Sequence, residues 1–221
     1  MCGRLNVHDS PLIKRMLVDL GINLFPERPP RYNIAPTAML DVVVSEHDVR
    51  TMQWSIEFGE FRHPNTKVET IKRKPFLEKL LLTQRCLVPV NRFYEWPDPK
   101  VRPQWKGIKT RFCIHTPADV MFLAGIFKRT EAGVDQFNVL TTDPTAAITE
   151  FHHRMPVMIA PERVKEWLHA KAVGDLYALT EPYRDELVIY PCDRYVDNAR
   201  NQGPQCMAPS GASPTQLGLH V

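Results

Sequence analysis

The chain has 221 residues, of which 43% are hydrophobic, and a formal net charge of +3. A chain of this length can bury a full core without disulfides, so we expect one domain over residues 1–221, with 204–221 an irregular tail. The sequence contains no apolar run near the ~18 residues of a membrane span. It also lacks the pattern of a secretory signal. We therefore expect a cytoplasmic protein, associated with the nucleoid if the source is bacterial.

Turn residues and apolar patterns predict the first elements in chain order. A helix begins at Asp9-Ser10-Pro11, where a capping residue precedes a proline, and it ends at Gly21. A Pro-rich loop, FPERPPRYNIAPT, leads to two strands, MLDVVVSE and VRTMQW. The next segment, EFGEFRHPN, is expected to be irregular. A helix, PFLEKLLLTQ, precedes one long strand, CLVPVNRFYEW, in which Pro89 indicates an edge or a bulge.

The second half adds strands, short helices and a polar end. The strands are TRFCIHT, VMFLAGIFKR, DQFNVLTT and a late LVIYPC, and the helices are PTAAITEF and PERVKEWLHA. From Asp193 the chain is polar and rich in Gly and Pro, which is typical of a segment that wraps the surface. Many strands, few helices and no βαβ alternation predict an α+β fold. We expect mostly antiparallel sheets that form a distorted barrel-like core with a few flanking helices.

The five cysteines are widely spaced, and no CxxC pair indicates a zinc ribbon or a redox motif. Cys86, Cys113 and Cys192 lie in apolar runs and are expected to be buried. Cys2 differs from them. Removal of Met1 would leave a free α-amine and a thiol on one residue, with pKa values near ~8 and ~8.5 in simple peptides. The alternative is that residue 2 is arbitrary and the end of the chain is frayed.

Three polar stretches contain groups that could carry chemistry. Glu95 lies between two aromatic residues in NRFYEW, where partial desolvation would raise its pKa, although a surface carboxylate is the alternative. His152 and His153 are adjacent in FHHRMP, so at most one is expected to face a site, and both could be ordinary loop residues. Asn65, in a polar stretch, could orient a substrate or could be a plain loop residue.

The net charge alone does not indicate nucleic acid, but its distribution is suggestive. Between Lys67 and Arg92 there are seven basic and two acidic residues, which form either a phosphate-binding strip or a solvated face. The segment RYNIAPT combines a cation, a ring and an amide. Such a stretch can hold a nucleotide by stacking and phosphate contact, or it can be a packed turn.

Taken in order, these segments resemble the SRAP family (SOS-response-associated peptidase) from Met1 to about Gly203. The segments are MCGR, RYNIAPT, the Trp that ends the second strand, N-x-[RK]-x-E-T, RFYEW, LTT, FHHRMPV and N-x-x-N-Q-G. The resemblance implies a DNA-repair enzyme of the SOS response that acts on abasic sites in single-stranded DNA. It also implies self-removal of residues before the cysteine (a peptidase, or hydrolase, activity) and reversal of the DNA crosslink, a lyase-type reaction.

The resemblance also implies a catalytic set of Cys2, Asn65, Glu95 and His152. The amine of mature Cys2 would form an imine with the ring-opened sugar, and its thiol would close a thiazolidine ring. Glu95 would move protons, His152 would act as general acid or base, and Asn65 would hold the N-terminal residue or the sugar. The residues expected to bind DNA are Arg4, Asn33, Pro36, Trp54, Lys67, Lys74, Thr141 and Arg154.

The sequence departs from the family pattern after Trp54. The family continues with Gly and further Trp residues, whereas this chain has WSIEFGEFRHPN, so Phe58 or Phe61 would have to provide stacking rings. Lys67 stands where the family usually has Arg, which keeps the charge but loses the planar fork. Both changes affect how tightly the chain is expected to bind single-stranded DNA, and they leave the four expected catalytic residues in place.

Two other functions stay open. In a cysteine or N-terminal-nucleophile peptidase, the Cys2 thiol would attack a peptide carbonyl, with its own amine or His152 as base. A non-catalytic binder of single-stranded DNA would bind intact and abasic strands equally, in a salt-dependent manner. In all three cases we expect a monomer that needs no cofactor, no metal and no membrane.

Overall fold

A computed structural model describes residues 2–98, 103–106 and 110–211. The strands are β1 (Arg4–Val7), β2 (Arg31–Ile34), β3 (Met39–Ser45), β4 (Asp48–Trp54), β5 (Ile56–Phe58), β6 (Phe61–His63), β7 (Asn65–Lys67), β8 (Arg85–Val90), β9 (Arg92–Glu95), β10 (Phe112–His115), β11 (Met121–Arg129), β12 (Asp135–Thr142), β13 (Met155–Pro156), β14 (Met158–Ile159) and β15 (Val188–Pro191). The helices are α1 (Ser10–Asp19), α2 (Val68–Ile71), α3 (Pro75–Thr83), α4 (Ala146–Thr149), α5 (Val164–His169) and α6 (Val173–Ala178). Short 3-10 turns cover Pro103–Trp105, Pro161–Arg163, Arg194–Asp197 and Pro204–Met207.

The strands form two main sheets, in agreement with the α+β class predicted from the sequence. The first sheet has the order β15-β10-β9-β1-β2, and the second has the order β13-β12-β4-β3-β8-β11-β14, with β7 beside β12. All pairings are antiparallel except those of β12 with β4 and with β7. The parallel β7–β12 pair sets Asn65 opposite Val139, and this pairing delivers Asn65 to the region where the two sheets meet.

Alternation along the strands of the second sheet separates two hydrophobic cores. Val42 and its neighbour Val43 point to opposite faces, as successive strand residues must. Val42 joins the core between the two sheets, with Leu5 from the first sheet. Val43 joins the core under the helices, with Leu77 and Trp167. The layers therefore follow one another in this order: the first sheet, the core that contains Val42, the second sheet, the core that contains Val43, and the helices.

Several predicted elements are confirmed, among them α1. Its N-cap residue Asp9 accepts a hydrogen bond from the Leu12 amide at 2.9 Å. The expectation of an irregular 57–65 segment was wrong, because β5 and β6 form a hairpin whose turn contains Gly59 at a φ of 63°. A glycine at that position removes the steric cost of a positive φ, and the sequence pattern alone had not identified the turn.

The prediction of one strand from Cys86 to Trp96 was also wrong. The chain divides at Asn91 into β8, in the second sheet, and β9, in the first. The Asn91 amide donates to Asn6 O at 2.9 Å, its Oδ1 accepts from the Asp9 amide at 2.9 Å, and its Nδ2 donates to Asp119 O at 2.8 Å. The expectation that Pro89 marks an edge strand was wrong, because β8 lies between β3 and β11 and Pro89 is in register with Phe122 of β11. On its other side, β8 is in register with β3 at Leu87 only.

The segment from Asp193 packs on the outer face of the first sheet. Asp193 caps the following turn by accepting from the Tyr195 amide at 2.7 Å. Val196 and Cys206 are buried with Tyr94 in a small third cluster. The expected tail thus contains an anchored 3-10 turn within 204–211, and residues 212–221 lie outside the described part. No helix among the described residues is long and apolar enough to cross a membrane.

Candidate active site

Cys2 is a core residue, with 1% of its surface exposed, so the position is not a frayed end. It immediately precedes β1, and β1 pairs with β9 so that Arg4 lies opposite Tyr94. This register brings Cys2 towards the end of β9, where Glu95 lies. Burial and the negative charge of Glu95 raise the pKa of the Cys2 thiol well above its usual value. The thiol is therefore protonated at neutral pH.

Asn65 holds the main chain of Cys2. It begins β7, is nine-tenths buried, and donates from Nδ2 to Cys2 O at 2.9 Å. No donor among the described residues reaches the buried Asn65 Oδ1 within hydrogen-bond distance. A buried acceptor without a partner is costly, so this oxygen is suited to a donor that arrives with a substrate or on a processed chain end.

Glu95 and His152 form a buried pair beside Cys2. Glu95 ends β9 and accepts from the Trp96 amide at 3.2 Å, while its Oε1 lies 3.7 Å from His152 Nε2. Burial raises the pKa of Glu95 to about 7 and lowers the pKa of His152 to about 4. The usual order of the two groups is thereby inverted, since the carboxyl group binds a proton more tightly than the imidazole. Near pH 7 the pair consists of a neutral imidazole and a carboxyl group that can give or take a proton.

His153 has a different environment from His152, as expected for adjacent positions. Its ring is about half exposed and stacks on His152 with centroids 4.7 Å apart, and its Nδ1 lies 2.9 Å from Asp98 Oδ2. Asp98, His152 and His153 each offer one ligand atom within 4.8 Å of the others. His152 Nδ1 already accepts a hydrogen bond from the Arg154 amide at 3.1 Å, and His153 Nδ1 faces the Asp98 carboxylate.

Lys67 and Lys74, both expected to bind DNA, are exposed and line a cavity of about 320 Å³ that includes Asn65. Phe58 and Phe76 line the same cavity and contact each other edge to face, with centroids 5.7 Å apart. The neighbouring hairpin places Phe61 in solvent with 72% of its surface exposed. Cations and rings therefore lie together on the Asn65 side of the site.

Three other residues expected to bind DNA are buried and support the site from within. Trp54 is 0% exposed and donates from Nε1 to Pro64 O at 2.9 Å, so in this conformation it offers no ring face to a base. Asn33 donates to the main-chain oxygen atoms of Val196 and Asn198. Thr141 is also fully buried, in β12.

The remaining three have partners or lie in a loop. Arg154 donates to both carboxylate oxygens of Glu69 at 2.9 Å and to Asp143 Oδ1 at 2.8 Å, so its charge is neutralised within the protein. Arg4 lies over the ring of Trp96, 5.7 Å from the ring centroid. Pro36 is half-buried in the loop between β2 and β3.

The structure adds residues that the sequence pattern did not single out. Trp96, Arg111 and Asp197 come from three distant stretches and meet beside Arg4 around a second cavity. Only the adjacency of Trp96 to Glu95 could have suggested one of them. Arg111 and Asp197 carry no motif, and the pairing of β9 with β10 is what brings Arg111 near.

The fold and the site together define a protein with a buried cysteine at position 2, held by an asparagine and adjoined by a Glu–His pair, at the meeting of two sheets. The sequence profile of the SOS response associated peptidase (SRAP) family matches residues 1–199, and the chain belongs to this family.

Similar proteins share most of the chain's length. The chain is 27% identical to the abasic site processing protein YoqW of Bacillus subtilis over 228 residues, which cover 93% of this chain and 98% of that protein. It is 24% identical to the abasic site processing protein YedK of Escherichia coli, with 95% and 100% covered. A phage-related protein from Bordetella bronchiseptica has a similar structure, with a TM-score of 0.70, 26% identity, and 91% and 99% covered.

Proposed function

We propose that the protein processes abasic sites in single-stranded DNA by forming a covalent thiazolidine crosslink through Cys2 after Met1 has been removed. Two of the relatives named above, YoqW and YedK, are named abasic site processing proteins, which supports the substrate class. The observation that carries the proposal is the environment of Cys2. Asn65 donates a hydrogen bond to its main-chain oxygen, and the charge of Glu95 raises the pKa of its thiol. Glu95 in turn lies next to His152.

The chemistry uses both nucleophiles of an N-terminal cysteine. The ring-opened abasic sugar presents an aldehyde at C1′. The α-amine of Cys2 attacks this carbon, the carbonyl oxygen leaves as water, and an imine forms. The thiol then adds to the imine carbon while its proton passes to the nitrogen, which closes a five-membered ring. The raised pKa of the thiol suits this order, because the amine reacts first and the thiol adds in its protonated form.

Glu95 and His152 supply the proton transfers. With a pKa of about 7, Glu95 can protonate the departing oxygen and then accept the proton that the amine releases. His152 stays neutral because its pKa is about 4, so it can accept a proton from the sugar hydroxyl during ring opening. Asn65 holds the first residue by its carbonyl, and its Oδ1 can accept from the α-amine once Met1 is gone.

The Asn65 cavity provides a binding region for the strand next to the abasic sugar. Lys67 and Lys74 offer cations for phosphate, and Phe58 and Phe76 offer rings for a base. Single-stranded DNA suits this region because a base must be unpaired to reach the rings. The exposed Phe61 extends the same surface.

A second proposed activity is self-cleavage before Cys2. Cys2 carries the thiol that could attack the carbonyl of the preceding residue, and its electrostatic partner Glu95 adjoins His152. Thiol attack on the Met1 carbonyl carbon would form a thioester, while Glu95 accepts the thiol proton and passes a proton to the amine nitrogen as the C–N bond breaks. Water would then hydrolyse the thioester and release Met1. The same residues would serve a peptidase acting on other chains.

Intact-mass measurement tests these functions together. The untagged protein is weighed before and after incubation with a single-stranded oligonucleotide that carries one abasic site. We expect loss of Met1 and a stoichiometric adduct whose mass equals protein plus DNA minus one water. The adduct should be absent with undamaged DNA and with Cys2→Ala. Retention of Met1, or binding without an adduct, would refute the crosslinking function. Cleavage of a peptide with no adduct would favour the peptidase.

A further inference from the structure

A cavity of about 580 Å³ lies beside the start of β1, apart from the Asn65 cavity. The residues that line it are Gly3, Arg4, Trp96, Pro97, Thr110, Arg111 and Asp197. Its volume is within the roughly 300–1,000 Å³ that is usual for ligand sites. Gly3 follows Cys2 and Trp96 follows Glu95, so the cavity adjoins the candidate active site on the side of the first sheet.

Asp197 fixes the two side chains that dominate this cavity. Its carboxylate accepts from Arg111 Nε at 2.6 Å and from a second nitrogen of the same guanidinium group. It also accepts from Trp96 Nε1 at 3.1 Å. The main chain around Asp197 is held in turn by Asn33, which donates to Val196 O at 3.0 Å. The ring and the guanidinium group are therefore positioned before any ligand arrives.

The walls of the cavity are net positive and carry one aromatic face. Among the described residues of the wall, Arg4 and Arg111 contribute two guanidinium groups and Asp197 contributes one carboxylate. Arg4 donates to three neutral oxygen atoms, those of the Asn33 side chain and of the Val196 and Asp197 main chain. Trp96 is half-buried and Arg4 lies over its ring, 5.7 Å from the centroid. A cation beside a partly exposed indole suits a ligand that combines an anion with a flat ring.

We propose that this cavity binds one unpaired nucleotide adjoining the abasic site, with its base on Trp96 and its phosphate on Arg111. This subsite deepens the proposed function and rests on it. The Asn65 cavity belongs to the second sheet and this cavity to the first, so a strand whose abasic sugar lies at Cys2 would place one neighbour in each. Arg111 is 9% exposed and Asp197 40% exposed, so a phosphate would meet the guanidinium group only at its exposed edge, beside the carboxylate.

Tryptophan fluorescence gives a direct reading of the subsite. The chain has four tryptophans, and Trp54, Trp105 and Trp167 are all buried, so Trp96 is the one that a ligand can reach. Cys2→Ala protein, which cannot crosslink, is titrated with a single-stranded oligonucleotide that carries a tetrahydrofuran abasic analogue. We expect quenching that is lost in a Trp96→Phe background. Trp96→Ala should weaken binding about 10-fold, and Trp96→Phe should weaken it less.

The phosphate contact is tested through charge and salt. Arg111→Gln should weaken binding and lower the slope of log affinity against log salt by roughly 0.7–1. Arg163→Gln is the matched control, because it removes the same charge from an exposed residue that is paired with Glu166. Oligonucleotides that end at the abasic position on one side or the other locate the subsite. The penalty of Trp96→Ala should vanish for one of the two truncated strands.

The outcomes separate the subsite from the crosslinking chemistry. If wild-type protein forms the adduct, but Trp96→Ala and Arg111→Gln bind as tightly as their parent, the subsite is refuted and the proposed function stands. If Trp96 is quenched and the variants bind weakly, but wild type forms no adduct, the chemistry is refuted and the subsite stands. A Trp96→Ala penalty that persists with both truncated strands also refutes the subsite. If Trp96→Phe does not fold, the test rests on Arg111→Gln, and unchanged binding by that variant refutes the subsite.

Discussion

Glu95→Gln is expected to change the pH dependence of stability in a defined direction. In the folded protein burial raises the pKa of Glu95 from its ordinary 4.5 to about 7. Between these values the folded state holds a proton that the unfolded state has released, so Glu95 lowers the free energy of unfolding as pH rises. At about 1.4 kcal/mol per pH unit, the loss amounts to about 3 kcal/mol by pH 8. Glutamine never ionises, so the variant avoids this loss.

His152 contributes a slope of the opposite sign in nearly the same range. Burial lowers its pKa from 6.5 to about 4, so the unfolded state takes up a proton first as pH falls. Its contribution to stability therefore rises by about 3 kcal/mol between pH 4 and 6.5. In wild type the two slopes nearly cancel. In Glu95→Gln the free energy of unfolding should rise with pH, and in His152→Gln it should fall. In the double variant it should again be nearly independent of pH.

Urea unfolding at half-unit steps from pH 4 to pH 8 measures these differences. Each variant is compared with wild type at the same pH, so that the other titrating groups cancel. The double variant controls for coupling within the pair. A difference between Glu95→Gln and wild type that stays constant from pH 4 to pH 8 would mean that Glu95 titrates normally. The assignment of Glu95 as the proton carrier near pH 7 would then fail.

Three further changes test other features of the structure. Ser55 has a φ of 110° and a buried, unpartnered hydroxyl among the described residues, so Ser55→Gly should raise the free energy of unfolding by about 1 kcal/mol; lower stability would contradict the strain. A Cβ on Gly125 would lie 2.9 Å from Cys86 Sγ, so Gly125→Ala should cost about 2 kcal/mol in a thermal melt; an unchanged melt would mean that the sheets adjust freely. Asp143→Asn removes one of the two carboxylates on Arg154 and should tighten binding of single-stranded DNA several-fold at low salt; equal affinity would mean that Arg154 only supports the site.

The sequence predicted the fold class, and it named the four residues that the structure brings together: Cys2, Asn65, Glu95 and His152. Apolar patterns identified β3, β4, α3 and the long strands β11 and β12. They could not show that the stretch from Cys86 to Trp96 serves two sheets, because both halves are buried and similarly apolar. The break depends on hydrogen bonds that Asn91 makes to residues distant in sequence.

The electrostatics of the site needed the three-dimensional structure. Aromatic neighbours correctly suggested a raised pKa for Glu95, but the lowered pKa of His152 follows from burial that no local pattern reveals. For Trp54 the local sequence predicted a role that its burial does not allow. A tryptophan at a strand end fits a stacking role by sequence, yet its position in the core gives it a supporting one. Arg111 is invisible to sequence patterns because its partners come from residues 96 and 197.

The divided strand at Asn91 has a mechanical consequence. Glu95 belongs to one sheet and Asn65 to the other, so the spacing between Glu95 and the asparagine that holds Cys2 depends on how the two sheets are aligned. Asn91 holds the point where the chain passes from one sheet to the other, because its side chain bonds to the residue before α1 and to the loop before β11. Loss of these hydrogen bonds would let Glu95 and Asn65 move apart while each sheet stayed folded. Sensitivity to mutation should therefore extend to a residue that touches none of the reacting atoms.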